Sequence, residues 1–84
     1  MQKTLIGKIV HFYPKISVAV IELQAGLKVG QKISVEKEDK SFEQMVDSMQ
    51  SEHKSITEAK SGDSIGLKLI EPTREGARVF IVVE

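Results

Sequence analysis

Apolar residues in this chain come in short β-branched runs, each cut off by a glycine or proline turn, and that rhythm excludes most folds. Leu5 to Tyr13 is rich in Ile, Val and aromatics and stops at Pro14. Proline lacks the donor a central strand needs and presets the backbone of a turn, so Tyr13-Pro14-Lys15 reads as a connection. Ile16 to Leu23 is a second run, ended by Gln24-Ala25-Gly26. Leu27-Lys28-Val29-Gly30 leads into Ile33-Ser34-Val35, a short alternating strand with Lys32 and Ser34 outward. Ser64 to Ile70 follows the turn Ser61-Gly62-Asp63, and Val79 to Val83 follows Arg74-Glu75-Gly76. Short strands with glycine turns between them predict a barrel or sandwich.

The chain has 84 residues, read as a single domain over 1–84. A domain of this size buries only about 60–65% of the surface its unfolded chain exposes, so its 40% apolar content must be well placed. There is no cysteine, which removes disulfides, thiolate metal sites and a cysteine nucleophile. No long apolar stretch or secretory signal pattern is visible, so the expectation is a cytoplasmic protein with no membrane role. Twelve basic and twelve acidic residues cancel. No global field draws the chain onto nucleic acid or anionic lipid, and any such contact must come from a local patch.

One segment resists the strand rhythm. Phe42, Met45, Val46 and Met49 fall at helical spacing, and Ser41 with Gln44 fits a capping box. The extended alternative sets Phe42, Gln44, Val46 and Ser48 on one face and Met45, Asp47 and Met49 on the other, an imperfect alternation. Local pattern alone favours a helix here.

Val46 to Leu69, VDSMQSEHKSITEAKSGDSIGLKL, resembles the second domain of translation elongation factor Tu and its archaeal and eukaryotic counterparts. The shared pattern is carried by Val46, Ser48, Met49, His53, Glu58, Ala59, Lys60, Gly62, Asp63 and Gly66. Upstream, Gly26 to Gly30 is similar to that family's step between strands, and Arg74-Glu75-Gly76 stands where it has an Arg-Gly turn. The resemblance implies that 42–50 is extended and that the fold is all-β, a small closed or partly open barrel of the translation-factor second-domain type. Gly62 suits a turn with positive φ, and Asp63 can bond its own backbone downstream. Gly66, and Gly7 likewise, suggest a bulge or a close backbone approach.

Chemistry is sparse. No GxxxxGK[ST] loop is present, so GTP binding and hydrolysis are excluded. His11 and His53 lack metal-ligand spacing, no nucleophile elbow appears, and neither metal nor cofactor is expected. The mixed-sign run Glu36 to Lys40 reads as a solvated hairpin tip. The expectation is a non-enzymatic binding module, in one of two classes. The resemblance implies contact with tRNA, rRNA or the ribosome, through Lys8, His11, Tyr13 and Lys15 around one turn and His53 and Lys54 at another, where an aromatic stacks and cations meet phosphate. Two departures stand out: Gln50 where the family often carries glutamate, and Ala19-Val20-Ile21 in place of its Gly-Arg hairpin. The alternative is a protein-interaction or accessory barrel with no nucleic-acid role, which the neutral charge suits.

Overall fold

A computed structural model of the chain describes residues 2–52 and 54–83. The described residues form ten strands in order: β1 Gln2–Tyr13, β2 Val18–Leu23, β3 Leu27–Lys28, β4 Lys32–Lys37, β5 Lys40–Met45, β6 Met49–Ser51, β7 Lys54–Ile56, β8 Glu58–Ala59, β9 Ser64–Lys68 and β10 Arg78–Val83. Eight form one antiparallel sheet in the order β5-β4-β10-β1-β2-β9-β6-β7, and β3 pairs with β8 in a small second sheet. The described residues contain no helix, so the chain is all-β.

β1 organises the sheet because it is long and twice irregular. Its first half pairs with β10 (Gln2↔Val83 to Lys8↔Arg78) and its second half with β2 (Gly7↔Leu23 to Tyr13↔Val18), and the register shifts between Leu5 and Gly7 and between Ile9 and His11. Each bulge adds a residue and sharpens the twist, curling the sheet around one core. Gly7 is indispensable at the first: a Cβ there would lie 2.5 Å from the Glu22 carbonyl oxygen. The interior is filled from alternating positions, Ile21 and Leu23 of β2, Ile33 and Val35 of β4, Ile65 and Leu67 of β9, with Ile6, Ile9, Leu27 and Val79. Each such side chain, buried in full, contributes about 1.5–3 kcal/mol. Termini and turn sit apart: Gln2 and Val83 are paired, while Tyr13 lies at the far end of β1.

The curl stops short of a closed barrel. Among the described residues, no backbone ladder joins β5 to the β9 side of the sheet. One side chain spans the gap instead: Gln44 Nε2 donates to the Lys68 carbonyl at 2.9 Å, and Gln44 Oε1 accepts from the Ile70 amide at 2.8 Å.

Segment 42–50 is extended, as the resemblance implied, but in two pieces. β5 ends at Met45 and β6 begins at Met49, and the break between them puts both Val46 and Met49 in the core while Met45 faces solvent. That break explains the helix-like spacing. An extended chain that changes direction after Val46 can half-bury Phe42 and Gln44 and bury Val46 and then Met49.

Other expectations change in detail. The second run starts two residues late, at Val18, because Pro14 to Ser17 is all turn and Ser17 has φ 55°. Ser34 does point away from the core, yet it is fully buried, donating to Glu36 Oε2 at 3.0 Å. Glu36 is not at the hairpin tip; it sits in β4 and accepts from Lys3 Nζ at 2.7 Å. Gly66 forms no bulge: it pairs in regular register with Val20, and a Cβ there would make only ordinary contacts. Asp63 accepts from an upstream amide, Lys60 N at 2.9 Å, rather than a downstream one.

Candidate functional site

Of the residues marked as nucleic-acid contacts, His11 and Tyr13 come together, while Lys8 and Lys54 stand apart from them. Lys8 lies in mid-sheet, opposite Arg78 and Glu22, not at a turn. His11 and Tyr13 share the outer face of β1, their rings in a T-shaped contact with centroids 4.3 Å apart. His11 Nδ1 stands 3.9 Å from Glu75 Oε1, an exposed pair. Lys15 is exposed in the turn after Pro14. Lys54 belongs to β7, four places along the sheet from β1. His53 lies outside the described residues. Gly30 and Gly62 fall at turns with φ of 97° and 93°, whereas Gly26 is in no turn but directly precedes β3, after the bend at Gln24 and Ala25. Among the described residues, no three histidine or acidic side chains gather as a metal site.

Two features emerge that the residue types alone did not signal. The first is an apolar end. Tyr13, Ile16 and Ile70 are 47%, 59% and 68% exposed. The Leu69 amide donates to the Ser17 carbonyl at 2.8 Å, which sets the Ile16 turn beside Ile70. Pro14 and Pro72 line a shallow depression with His11 and Phe12 on the same flank. All of this is at the end of β1 remote from both termini. Lone exposed apolar residues are ordinary, and Leu5 and Val83 are exposed at the opposite end of β1. The Tyr13, Ile16 and Ile70 group, however, is the one that includes the two most exposed large apolar side chains among the described residues. In the sequence Ile16 and Ile70 read as strand residues, so their exposure was hidden.

The second is a cleft of about 280 Å³ between the β4–β5 hairpin and the crossover Glu71 to Arg74. Val35, Phe42 and Pro72 give it an apolar lining; Lys37, Lys40 and Arg74 face Glu38, Asp39 and Glu71 around it. The cleft continues the open seam at which Gln44 stands.

Electrostatics are local. The hydrogen bond from Lys3 holds the Glu36 carboxyl below its usual range, aided by the Ser34 hydroxyl and opposed by burial. The same hydrogen bond raises the Lys3 ammonium above its usual value. These groups secure β1 to β4 across β10.

Comparison with known proteins gives the architecture a context. No protein-family model matches the chain. Two crystal structures of the C-terminal domain of a Geobacillus thermoleovorans protein assigned to the U32 peptidases superpose on it. One has a TM-score of 0.89 over 95% of this chain and 93% of that domain at 12% identity. The selenomethionine variant gives 0.84 over 89% and 95% at 13% identity. The fold is shared. An uncharacterized protease of Methanocaldococcus jannaschii is 44% identical over 99% of this chain, which spans 21% of that protein's length.

These findings overturn the elongation-factor assignment, and the RNA- and ribosome-binding expectation falls with it. The reason is physical. Val46, Ala59, Gly62 and Asp63 are core and turn positions, placed by a strand break, a tight turn and a short pairing. Such residues record how a small curled sheet is built, not which proteins use it. As to membranes, no described helix is long and apolar enough to cross one.

Proposed function

We propose that this chain is a non-catalytic accessory module that holds extended or unfolded polypeptide in the service of a peptidase. The observation that carries the reading is the mismatch of lengths: nearly all of this chain aligns with only 21% of a protease. This chain is a unit with its own core, and the alignment leaves about four-fifths of that protein to supply the chemistry. The apolar end supports a binding role, since it lies opposite the paired Gln2 and Val83. A module tethered through either terminus presents that end outward, towards a third molecule.

Fluorescein-labelled unfolded casein tests this directly. The purified chain is expected to raise the anisotropy of the labelled protein in a saturable way and to release no labelled fragments. Cleavage by the chain alone would overturn the non-catalytic reading, and a flat anisotropy titration would overturn the binding role.

A further inference from the structure

The seam of the sheet has the features of a site for an extended peptide, and these rest on three independent observations. The first is an unpaired edge. β5 pairs with β4 from Lys32↔Met45 to Lys37↔Lys40, and among the described residues no ladder lies on its other side. Antiparallel pairs alternate between residues bonded to the partner and residues that face away. Counting from the Lys37–Lys40 pair that closes the hairpin, Ser41 and Glu43 turn their N–H and C=O groups to the open edge. Such groups are a template for another chain.

The second observation is the cleft at the hairpin end of that edge, where Lys40, Ser41 and Phe42 line it. Its roughly 280 Å³ falls near the lower bound of about 300 Å³ for small-ligand pockets, room for a segment of about two or three residues. Phe42 and Pro72 offer an apolar contact to one side chain of such a segment, and the surrounding charges cancel, three cations against three carboxylates. A ligand held there gains little from charge, so its affinity comes from main-chain pairing and apolar contact.

The third observation is what already occupies the seam's inner end. The Gln44 amide donates to Lys68 O and accepts from Ile70 N. A residue of a parallel strand brackets its neighbour with the same two bonds, one to the carbonyl before it and one from the amide after it. The protein thus supplies one peptide-like unit from a side chain where the groove ends, and leaves the rest of the edge unmatched.

From these we infer that the cleft between β5 and Glu71 to Arg74 binds an extended peptide segment as an added strand on the outer edge of β5, with Gln44 as its end stop. The inference deepens the accessory-module reading by naming where polypeptide enters, and it rests on that reading. Strand addition of this kind draws affinity from the backbone and selectivity from alternate side-chain pockets.

The test is an NMR titration of the ¹⁵N-labelled chain with an acetylated, amidated peptide of alternating valine and threonine. Saturable shifts and slowed exchange are expected at Ser41 and Glu43, with little change between low and high salt. Pro72→Trp fills the cleft from an exposed position, and Ser41→Pro removes an outward donor without breaking the β4 ladder. Each is expected to weaken the peptide at least tenfold while the melting transition is kept, and Pro72→Trp serves should Ser41→Pro fail to fold. Unchanged affinity in a folded variant would overturn the site. Shifts confined to Tyr13, Ile16 and Ile70 would overturn it too, yet leave the module reading standing. Should neither the peptide nor casein bind, both the site and that reading fall.

Discussion

Gly7 and Gly66 both sit inside strands, and the structure expects opposite consequences when each becomes alanine. At Gly7 the new methyl would stand 2.5 Å from Glu22 O, 3.1 Å from Ile21 Cγ2 and 3.2 Å from Leu23 Cα. Two of those three atoms are backbone of β2, which is paired on one side with β1 and on the other with β9. It cannot retreat without breaking a ladder. Overpacking of this kind costs about 1–3 kcal/mol and occasionally more; with no flexible neighbour to yield, the upper part of that range applies. Alanine also restricts the unfolded chain, which returns about 0.4–1 kcal/mol. The net loss is about 2 kcal/mol. In a domain of 60–100 residues each kcal/mol moves Tm by about 4–8 °C, so Gly7→Ala should melt about 8–16 °C lower. At Gly66 the methyl would meet Val18 Cγ1 at 3.5 Å and Gln50 O at 3.9 Å, both ordinary contacts. Only the unfolded-state effect remains, and Gly66→Ala should melt at or a few degrees above the parent. Thermal unfolding followed by circular dichroism, with urea to bring the midpoint into range, reads both. A Gly7→Ala protein within 2 °C of the parent (~2 °C being well under the shift of one kcal/mol) would refute the close approach of β1 and β2.

Three further outcomes follow from the same structure. Gln44→Glu keeps the acceptor for Ile70 N but loses the donor to Lys68 O and sets a carboxylate against that carbonyl. It should cost about 1–3 kcal/mol and speed hydrogen exchange at Ile70, whereas exchange at Ile65 in β9 should change less. The Glu36 carboxyl is more acidic in the folded protein than in the unfolded chain, so the stability it adds is present above its ordinary value of 4.5 and is lost as pH falls through its folded value. Glu36→Gln should therefore lower Tm at neutral pH by a small amount, and the gap from the parent should narrow progressively in melts recorded at pH values falling below 4.5. Ile16→Ser and Ile70→Ser, at exposed positions, should shift Tm by no more than the equivalent of about 0.5 kcal/mol while weakening casein binding in the anisotropy assay.

Much of the architecture was legible because β-branched runs and turn residues act locally. Pro14, Gly62 and Gly76 mark real connections, and the alternation in β4 puts Ile33 and Val35 in the core. What local pattern lacked was any view of partners across the sheet. Gly7 and Gly66 look alike in sequence, and only the position of Glu22 O tells them apart. Helical spacing from Phe42 to Met49 arises from a change of direction after Val46, which periodicity reads as a twist of 100° per residue. The candidate site was the least visible part. Lys8, His11, Tyr13, Lys15 and Lys54 were chosen for chemical type, and type is silent on which faces of a curled sheet meet. The seam cleft is made by the crossover after Ile70 lying against a hairpin some thirty residues earlier, a long-range juxtaposition that no motif encodes. The likeness to elongation factors misled for a related reason: its residues specify turns, and turns are common property of small β folds.

The accessory-module account meets its sharpest trial in the M. jannaschii protease to which this chain is 44% identical. Anisotropy of labelled unfolded casein is measured with that protein intact, with its matching segment deleted, and with this chain grafted in the segment's place. Weakened casein binding on deletion, restored by the graft, is the expected result. Binding that survives deletion undiminished, or casein cleavage by this chain in isolation, would contradict the account.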